Sequence, residues 1–392
     1  VLRHLRALVD KSLVVATPDG GQMRYRLLET IAQFASDAPE GETEAAMPSL
    51  LSWAAGHAKR VYAELFGPDH DTWLVETDTL RNTLRRAIDW GLASKNPIAV
   101  DAILSMTRYW NYRGLLSEAD LMLQRASSAE TDPAQYADID NAVGVFANRI
   151  GDRGRAEEAY RRVFDNPEAS TVAKARAVHN LAILVQERGD AGEALRLYDE
   201  AVDLARSASD SLFRLAVYNR ALLLSDMGRA EEAEAELSKA LRLHQRAEDG
   251  NRQALCYSGL ANVRVQVGDA AGATSWLLQA LAKMGPNADV QLVADVLLDS
   301  AWVACASHEH ESAAVLLAGA QMIQDTTEAP FAPRNVPKRD HILKALEEMD
   351  EHGRSQSQAI GQTAPRETLL VRASEMLTEV KLANSVPAAQ PL

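Results

Sequence analysis

Cysteine is almost absent. Cys256 and Cys305 stand alone in 392 residues, so the chain has neither a disulfide framework nor a thiolate zinc site. Both fall on apolar helical stretches and read as buried thiols. Aromatic residues make up only 5%, which suits helices packed through alanine and leucine. No apolar run reaches 18 residues and no secretory signal is present; a cytoplasmic location is expected. The phosphate-cradling Gly-x-x-x-x-Gly-Lys-Ser/Thr, the Gly-x-Ser-x-Gly nucleophile elbow and His-Glu-x-x-His are all missing. The expectation is no enzyme, and no cofactor or metal in this chain. Positive charge is also short. Lys and Arg number 41 against 55 Asp and Glu, a net −14, which argues against a general nucleic-acid or membrane-surface binder. Residues 1–36 carry +2, leaving −16 for the rest.

What is present is a repeat of about forty residues. Gly189 is followed by Ala194, Tyr198 and Ala201; Gly228 by Ala233, Leu237 and Ala240; Gly268 by Ala273, Leu277 and Ala280. Gly154 gives Ala159 and Val163, and Gly114 gives Ala119, Leu123 and Ala126. His308 takes the glycine place in a sixth copy, with Ala313, Leu317 and Ala320. The spacings are 40, 35, 39, 40 and 40, and a small residue stands seven earlier: Thr107, Ala147, Ala182, Ala221, Ala261, Ala301. Small residues let two antiparallel helices approach, and glycine permits the left-handed backbone that ends the first of them. One pair cannot bury its apolar face alone, so pairs stack. The pattern resembles the tetratricopeptide repeat, with loops longer than its usual length of about 34 residues. The expected fold is mainly α: a right-handed α-solenoid of such pairs over 101–325.

The remaining segments give the domain plan. Val1–Asp10 reads as an amphipathic helix and Ser12–Thr17 and Gln22–Leu28 as a hairpin, with Glu29–Ser36 opening a further helix: the end of a winged-helix domain over 1–36. Residues 37–49, polar with two prolines, read as a linker, and 50–100 as a helical connector. Residues 326–382 should cap the array, with helices at His341–His352 and Arg366–Leu382. A disordered tail is expected over 383–392. Because the chain opens on Val1 in what reads as mid-domain helix, further sequence upstream is expected.

The order of these pieces resembles the C-terminal half of actinobacterial signal-transduction ATPases with numerous domains (STAND, NB-ARC-type), including SARP-like and large LuxR-type transcriptional regulators. The resemblance rests on LRALVDKSLVV…RYRLLETIAQFA at Leu5–Ala35, WLVETDTLRNTLRRAIDW at Trp73–Trp90, YWNYRGLLSEADLMLQRA at Tyr109–Ala126 and SAAVLLAGAQMI…APFAP at Ser312–Pro333. It implies an upstream nucleotide-binding domain holding ATP or ADP, and a repeat array that senses a partner or small inducer. The family's Met-His-Asp falls on Leu27, Leu28 and Glu29, so its histidine is replaced. Arg24 and Arg26, with Leu28 and Glu29, are the expected contacts to the nucleotide domain; the competing reading makes Leu27 and Leu28 hairpin core and the arginines solvated. Arg3, Arg6, Lys11, Arg24 and Arg26 are too few for DNA binding by this chain.

His308-Glu309-His310-Glu311 is no metal cluster, since residues two apart do not share a helix face. The favoured site is the groove lined by first helices. Its candidates are Asn148; His179, Asn180 and Ile183; Tyr218, Asn219 and Leu222; and Asn262. Asn148 and Asn180 match the asparagines of a carboxylate clamp, but its cation positions fall on Gly144, Leu215 and Asn219 and are uncharged. A neutral peptide or hydrogen-bonding small molecule is expected instead. In the competing reading Asn180 and Asn219 bond the neighbouring repeat. The alternative function is a stand-alone adaptor for a partner peptide.

Overall fold

The computed structural model describes residues 2–19, 22–27, 40–65, 70–129, 133–284, 288, 290–327, 331 and 333–385. The chain divides into two compact units, Val1–Thr131 and Asp132–Leu392.

In the first unit α1 (Leu2–Asp10) precedes a two-stranded antiparallel hairpin, β1 (Val14–Asp19) and β2 (Gln22–Leu27). The register runs from Val14 opposite Leu27 to Asp19 opposite Gln22. Valines and alternation make these strands, as expected. Leu27 is 40% exposed, so it is not hairpin core. The helix expected over Glu29–Ser36 lies outside the described residues. Four helices follow: α2 (Glu40–Glu64), α3 (His70–Ala93), α4 (Ile98–Tyr112) and α5 (Leu116–Ser127). The expected linker at 37–49 is corrected here, because helix already begins at Glu40 and carries Pro48 inside it. Proline costs one backbone bond. The stripe Leu51, Ala54, Ala58 and Val61, wholly buried, offsets that loss through packing. Leu84 and Ile88 of α3 and Ile103 and Met106 of α4 are likewise buried, on helices that pack against α2. The Tyr109 hydroxyl donates to Asp78 at 2.7 Å.

The second unit is a solenoid of antiparallel pairs: α6 (Pro133–Arg149) with α7 (Arg153–Asp165), α8 (Thr171–Glu187) with α9 (Ala191–Ala208), α10 (Asp210–Asp226) with α11 (Ala230–Arg246), α12 (Gly250–Gln266) with α13 (Ala270–Lys283), and α14 (Val290–Ala306) with α15 (His310–Thr327). Each first helix ends on a residue with positive φ: Gly151 (88°), Gly189 (93°), Gly228 (73°), Gly268 (80°) and His308 (62°), as Gly114 (65°) does between α4 and α5. The next residue closes the turn: Asp190 N–H donates to the Val185 carbonyl at 3.2 Å and Asp269 N–H to that of Arg264 at 2.8 Å. The same aspartates cap the second helix, accepting from Glu193 N–H at 3.1 Å and Gly272 N–H at 2.8 Å.

This corrects the second copy of the repeat. Its left-handed residue is Gly151, not Gly154, which lies inside α7. The register therefore moves by three residues. Ala156 and Tyr160, both buried, become the equivalents of Ala194 and Tyr198, and Gly144 that of Ala182. Glycine is demanded there: a Cβ on Gly144 would lie 2.3 Å from the Tyr160 ring. The large Tyr160 and the absent side chain at 144 are one compensated pair.

The C-terminal segment also departs from expectation. In place of one helix at His341–His352, a 3-10 turn (Pro333–Asn335) leads into α16 (Val336–Ala345), a second 3-10 turn (Leu346–Glu348) and α17 (Glu351–Thr363). Asp350 caps α17 on Gly353 N–H at 2.8 Å, a stop-and-restart signal inside the expected helix. Finally α18 (Arg366–Ser385) buries Leu369, Ala373 and Leu377 against the last pairs. It takes in residues 383–385 of the expected tail; 386–392 lie outside the described residues.

Candidate functional site

First helices of successive pairs face one another, so equivalent positions meet across the inner face. Counting back from the left-handed residue, His179 and Tyr218 stand ten before it, Asn180 and Asn219 nine, and Ile183, Leu222 and Asn262 six. At the corrected register Asn141 and Val145 are the α6 equivalents of His179 and Ile183. Asn148 is therefore a correction: it sits half-buried in the last turn of α6, three residues off the stripe.

The stripe works partly as a ladder between repeats. Asn219 Nδ2 donates to His179 Nε2 at 3.1 Å, which leaves the proton on Nδ1, a buried atom with no partner. Burial depresses the His179 pKa to about 4, so the ring is neutral and structural. Ser258 hydrogen-bonds Asp299 in the same two positions two steps on. A second ladder lies nearer the turns: Gln186 Nε2 donates to Asp226 at 3.1 Å, and Ser225 Oγ to Gln266 at 3.0 Å. Asn180 makes no such bond among the described residues and stays half-buried; Ile183 packs into the core.

Between these rungs the face opens. Tyr218 would pair with the position held by Gly259, where a Cβ would meet Leu237 at 2.9 Å, so no side chain answers it. There a cavity of about 690 Å3 opens between α10, α12 and α14 and the capping turn and α16. That is the size range of small-ligand pockets, roughly 300–1,000 Å3. Of the expected site residues, Tyr218, Leu222 and Asn262 line it; Asn148, His179, Asn180, Ile183 and Asn219 do not. Leu255, Val265 and Trp302 supply further apolar lining.

The charged lining was missed. Asp299 accepts from Lys338, Ser258 and Asn262, the last at 3.3 Å. Lys338 also donates to Asn262 Oδ1 at 3.3 Å and lies 5.2 Å from the Trp302 ring centroid. Asn335 Nδ2 donates to Asp295 at 3.0 Å. Asp226, Arg334 and His341 complete the set. Asp299 and Trp302 were legible by extending the register one repeat; Arg334, Lys338 and His341 come from the cap, where no repeat signal points.

The expected nucleotide-domain contacts belong to the first unit. Arg24 and Arg26 lie on β2 opposite Thr17 and Val15; Leu28 and Glu29 lie outside the described residues. No group of three metal-ligating side chains gathers among the described residues. Both cysteines are buried, and burial pushes Cys256 up to about 12 and Cys305 to about 11, which keeps them protonated.

The tetratricopeptide repeat family model matches residues 212–284. The array is tetratricopeptide-like. A model of anaphase-promoting complex subunit 5 matches residues 148–213, and no curated protein matches the sequence. Among solved structures, a STAND protein with a tetratricopeptide repeat sensor from Pyrococcus horikoshii is similar at a TM-score of 0.50 and 14% identity, over 95% of this chain and 60% of that one. A tetratricopeptide repeat protein from Parabacteroides merdae gives 0.48 at 17% identity, over 74% and 99%. A Rap protein complexed with Competence and Sporulation Factor gives 0.48 at 13%, over 84% and 99%. The likeness at 0.50 shows the fold alone. No helix among the described residues is long and apolar enough to cross a membrane.

Proposed function

We propose that this chain is the non-enzymatic sensor region of a STAND-like regulator of transcription, and that the second unit recognises a partner or ligand on its inner face. The observation that carries the reading is the cavity: a built, partly apolar space at the open rung between Tyr218 and Gly259, lined by side chains from three repeats and the cap. The sensor described for the Pyrococcus STAND protein supports the assignment by analogy of fold. In this reading ATP or ADP binds an upstream domain, and Arg24, Arg26, Leu28 and Glu29 face it.

The test uses the protein in its own cell. Tyr218→Ala combined with Asn262→Ala should abolish the transcriptional response that the regulator controls. Arg196→Ala removes surface ion pairs with Glu193 and Glu200, and Lys239→Ala one with Glu236 and a contact with the Phe213 ring; such pairs are worth little, and both variants should leave it intact. An unchanged response in the folded double variant would reduce the array to a spacer.

A further inference from the structure

The cavity in the second unit holds more charge than it neutralises. Lys338 and Asp299 satisfy each other, with Ser258 and Asn262 filling their remaining valences. Three other charged groups have no such answer. Arg334 makes no hydrogen bond or ion pair among the described residues; it is exposed and lines the open space. Desolvation in the cleft opposes its charge, while Tyr218, Asp295, Asp226 and Asp299 favour it, and its pKa is raised on balance. Among the described residues, the exposed Asp226 accepts only from the Gln186 amide, and the half-buried Asp295 only from the amides of Asn335 and Gln291. Desolvation pushes both carboxyls up, Asp295 to about 6, with Asp299 adding to the push. The Tyr218 hydroxyl, also lining the space, has no partner among the described residues.

Charges that line one cleft without partners of opposite sign offer a ligand of complementary charge several charge-assisted hydrogen bonds at once. The count is two carboxylates and one guanidinium. The complementary ligand has two cations and one anion, with a stem that lies on Leu222, Leu255 and Trp302. We propose that the cavity binds a basic amino acid or short basic peptide with free termini. The ligand's carboxylate lies on the Arg334 fork, and its two ammonium groups on Asp226 and Asp295. This rests on the inner face being a binding site, and adds the class of ligand. Arginine offers a planar pair of donors that matches a carboxylate. The adjacent Lys338, held by Asp299 and Asn262 over Trp302, shows within the chain how this face receives an ammonium group.

The test is calorimetric titration of the full chain near neutral pH with lysyl-alanine, lysyl-alanine amide and norleucyl-alanine. Lysyl-alanine should give a saturable heat. Loss of the carboxylate in the amide, or of the side-chain cation in norleucine, should each weaken binding about tenfold or more. Arg334→Gln should bind the free acid and the amide alike. Asp226→Asn with Asp295→Asn should no longer distinguish lysine from norleucine. No saturable heat with lysyl-alanine, or equal affinity of wild type for all three probes, overturns the assignment. Those comparisons on the wild type do not depend on any variant folding. If the cellular response is still lost in the Tyr218 and Asn262 variants while lysyl-alanine gives no heat, the groove reading stands and the ligand class falls.

Discussion

Along α8 and α10 the polar groups of the inner face answer one another: His179 with Asn219, and Gln186 with Asp226. Further along, between α10 and α12, the same positions hold Tyr218 and Gly259, and the rung is missing. What closes that end is foreign to the repeat: the capping turn and α16 bring Arg334, Asn335, Lys338 and His341 over the face. One end is built on a neutral pair, His179 with Asn219; the other, which Asp226 already borders, is a charged, incompletely paired cavity. Repeat geometry sets where side chains meet, and the residue chosen at each meeting decides whether the place is filled or left for something else.

The largest expected effect comes from breaking the Asp299–Lys338 ion pair, the well-buried one at the open end among the described residues. Asp299→Ala leaves the Lys338 ammonium without its carboxylate, and such a break costs about 3–5 kcal/mol. Asp299→Leu with Lys338→Met should restore most of it; denaturant unfolding checks both. Equal losses in the single and double variants would show that the cap is held by its apolar contacts alone.

Acidification separates the two ends by sign. His179 is neutral in the fold at a pKa of about 4, against an ordinary 6.5. Its stabilising contribution is full above pH 6.5 and is lost as pH falls through about 4, up to about 3 kcal/mol. Asp295 runs the other way: raised to about 6 from 3.8, its contribution is full below pH 3.8 and lost as pH rises through about 6. Melting curves from pH 7 to 4 should fall less steeply for His179→Gln and more steeply for Asp295→Asn. Parallel curves for both would mean that neither group titrates as placed.

Gly144→Ala tests the corrected register. Its Cβ meets the Tyr160 ring, so overpacking should cost about 1–3 kcal/mol, whereas the same change at the exposed Gly154, with only Asp152 at 3.9 Å, should not. The smallest effect is a gain. His308 holds a left-handed backbone at φ 62°, and His308→Gly should stabilise by about 0.5–1 kcal/mol, relief of strain being offset in part by a freer unfolded chain.

Much of the array was legible because small residues and left-handed turns recur at nearly fixed intervals, and five glycines with His308 stand where the backbone demands them. The error at Gly154 arose because two small residues, Gly151 and Gly154, compete within one turn, and alanines at both 156 and 159 are buried. The helix from Glu40 was hidden by its polar start and by Pro48, which local rules read as a break. At the site, Tyr218, Leu222 and Asn262 were readable from the stripe, and Asp299 and Trp302 lay one repeat beyond where the count stopped.

The sequence by itself determined the helix pairs, their turns, their caps and the face that each first helix turns inward, because these follow from spacing along one chain. Only the tertiary structure decided that Arg334 and Lys338 come to lie against Asp226, Asp295 and Asp299. That meeting depends on how far the cap folds back across repeats about 40 and about 110 residues earlier. No periodicity encodes the return of a segment outside the repeat. It is set by the burial of Ile342 and Leu346, and the charges travel with them.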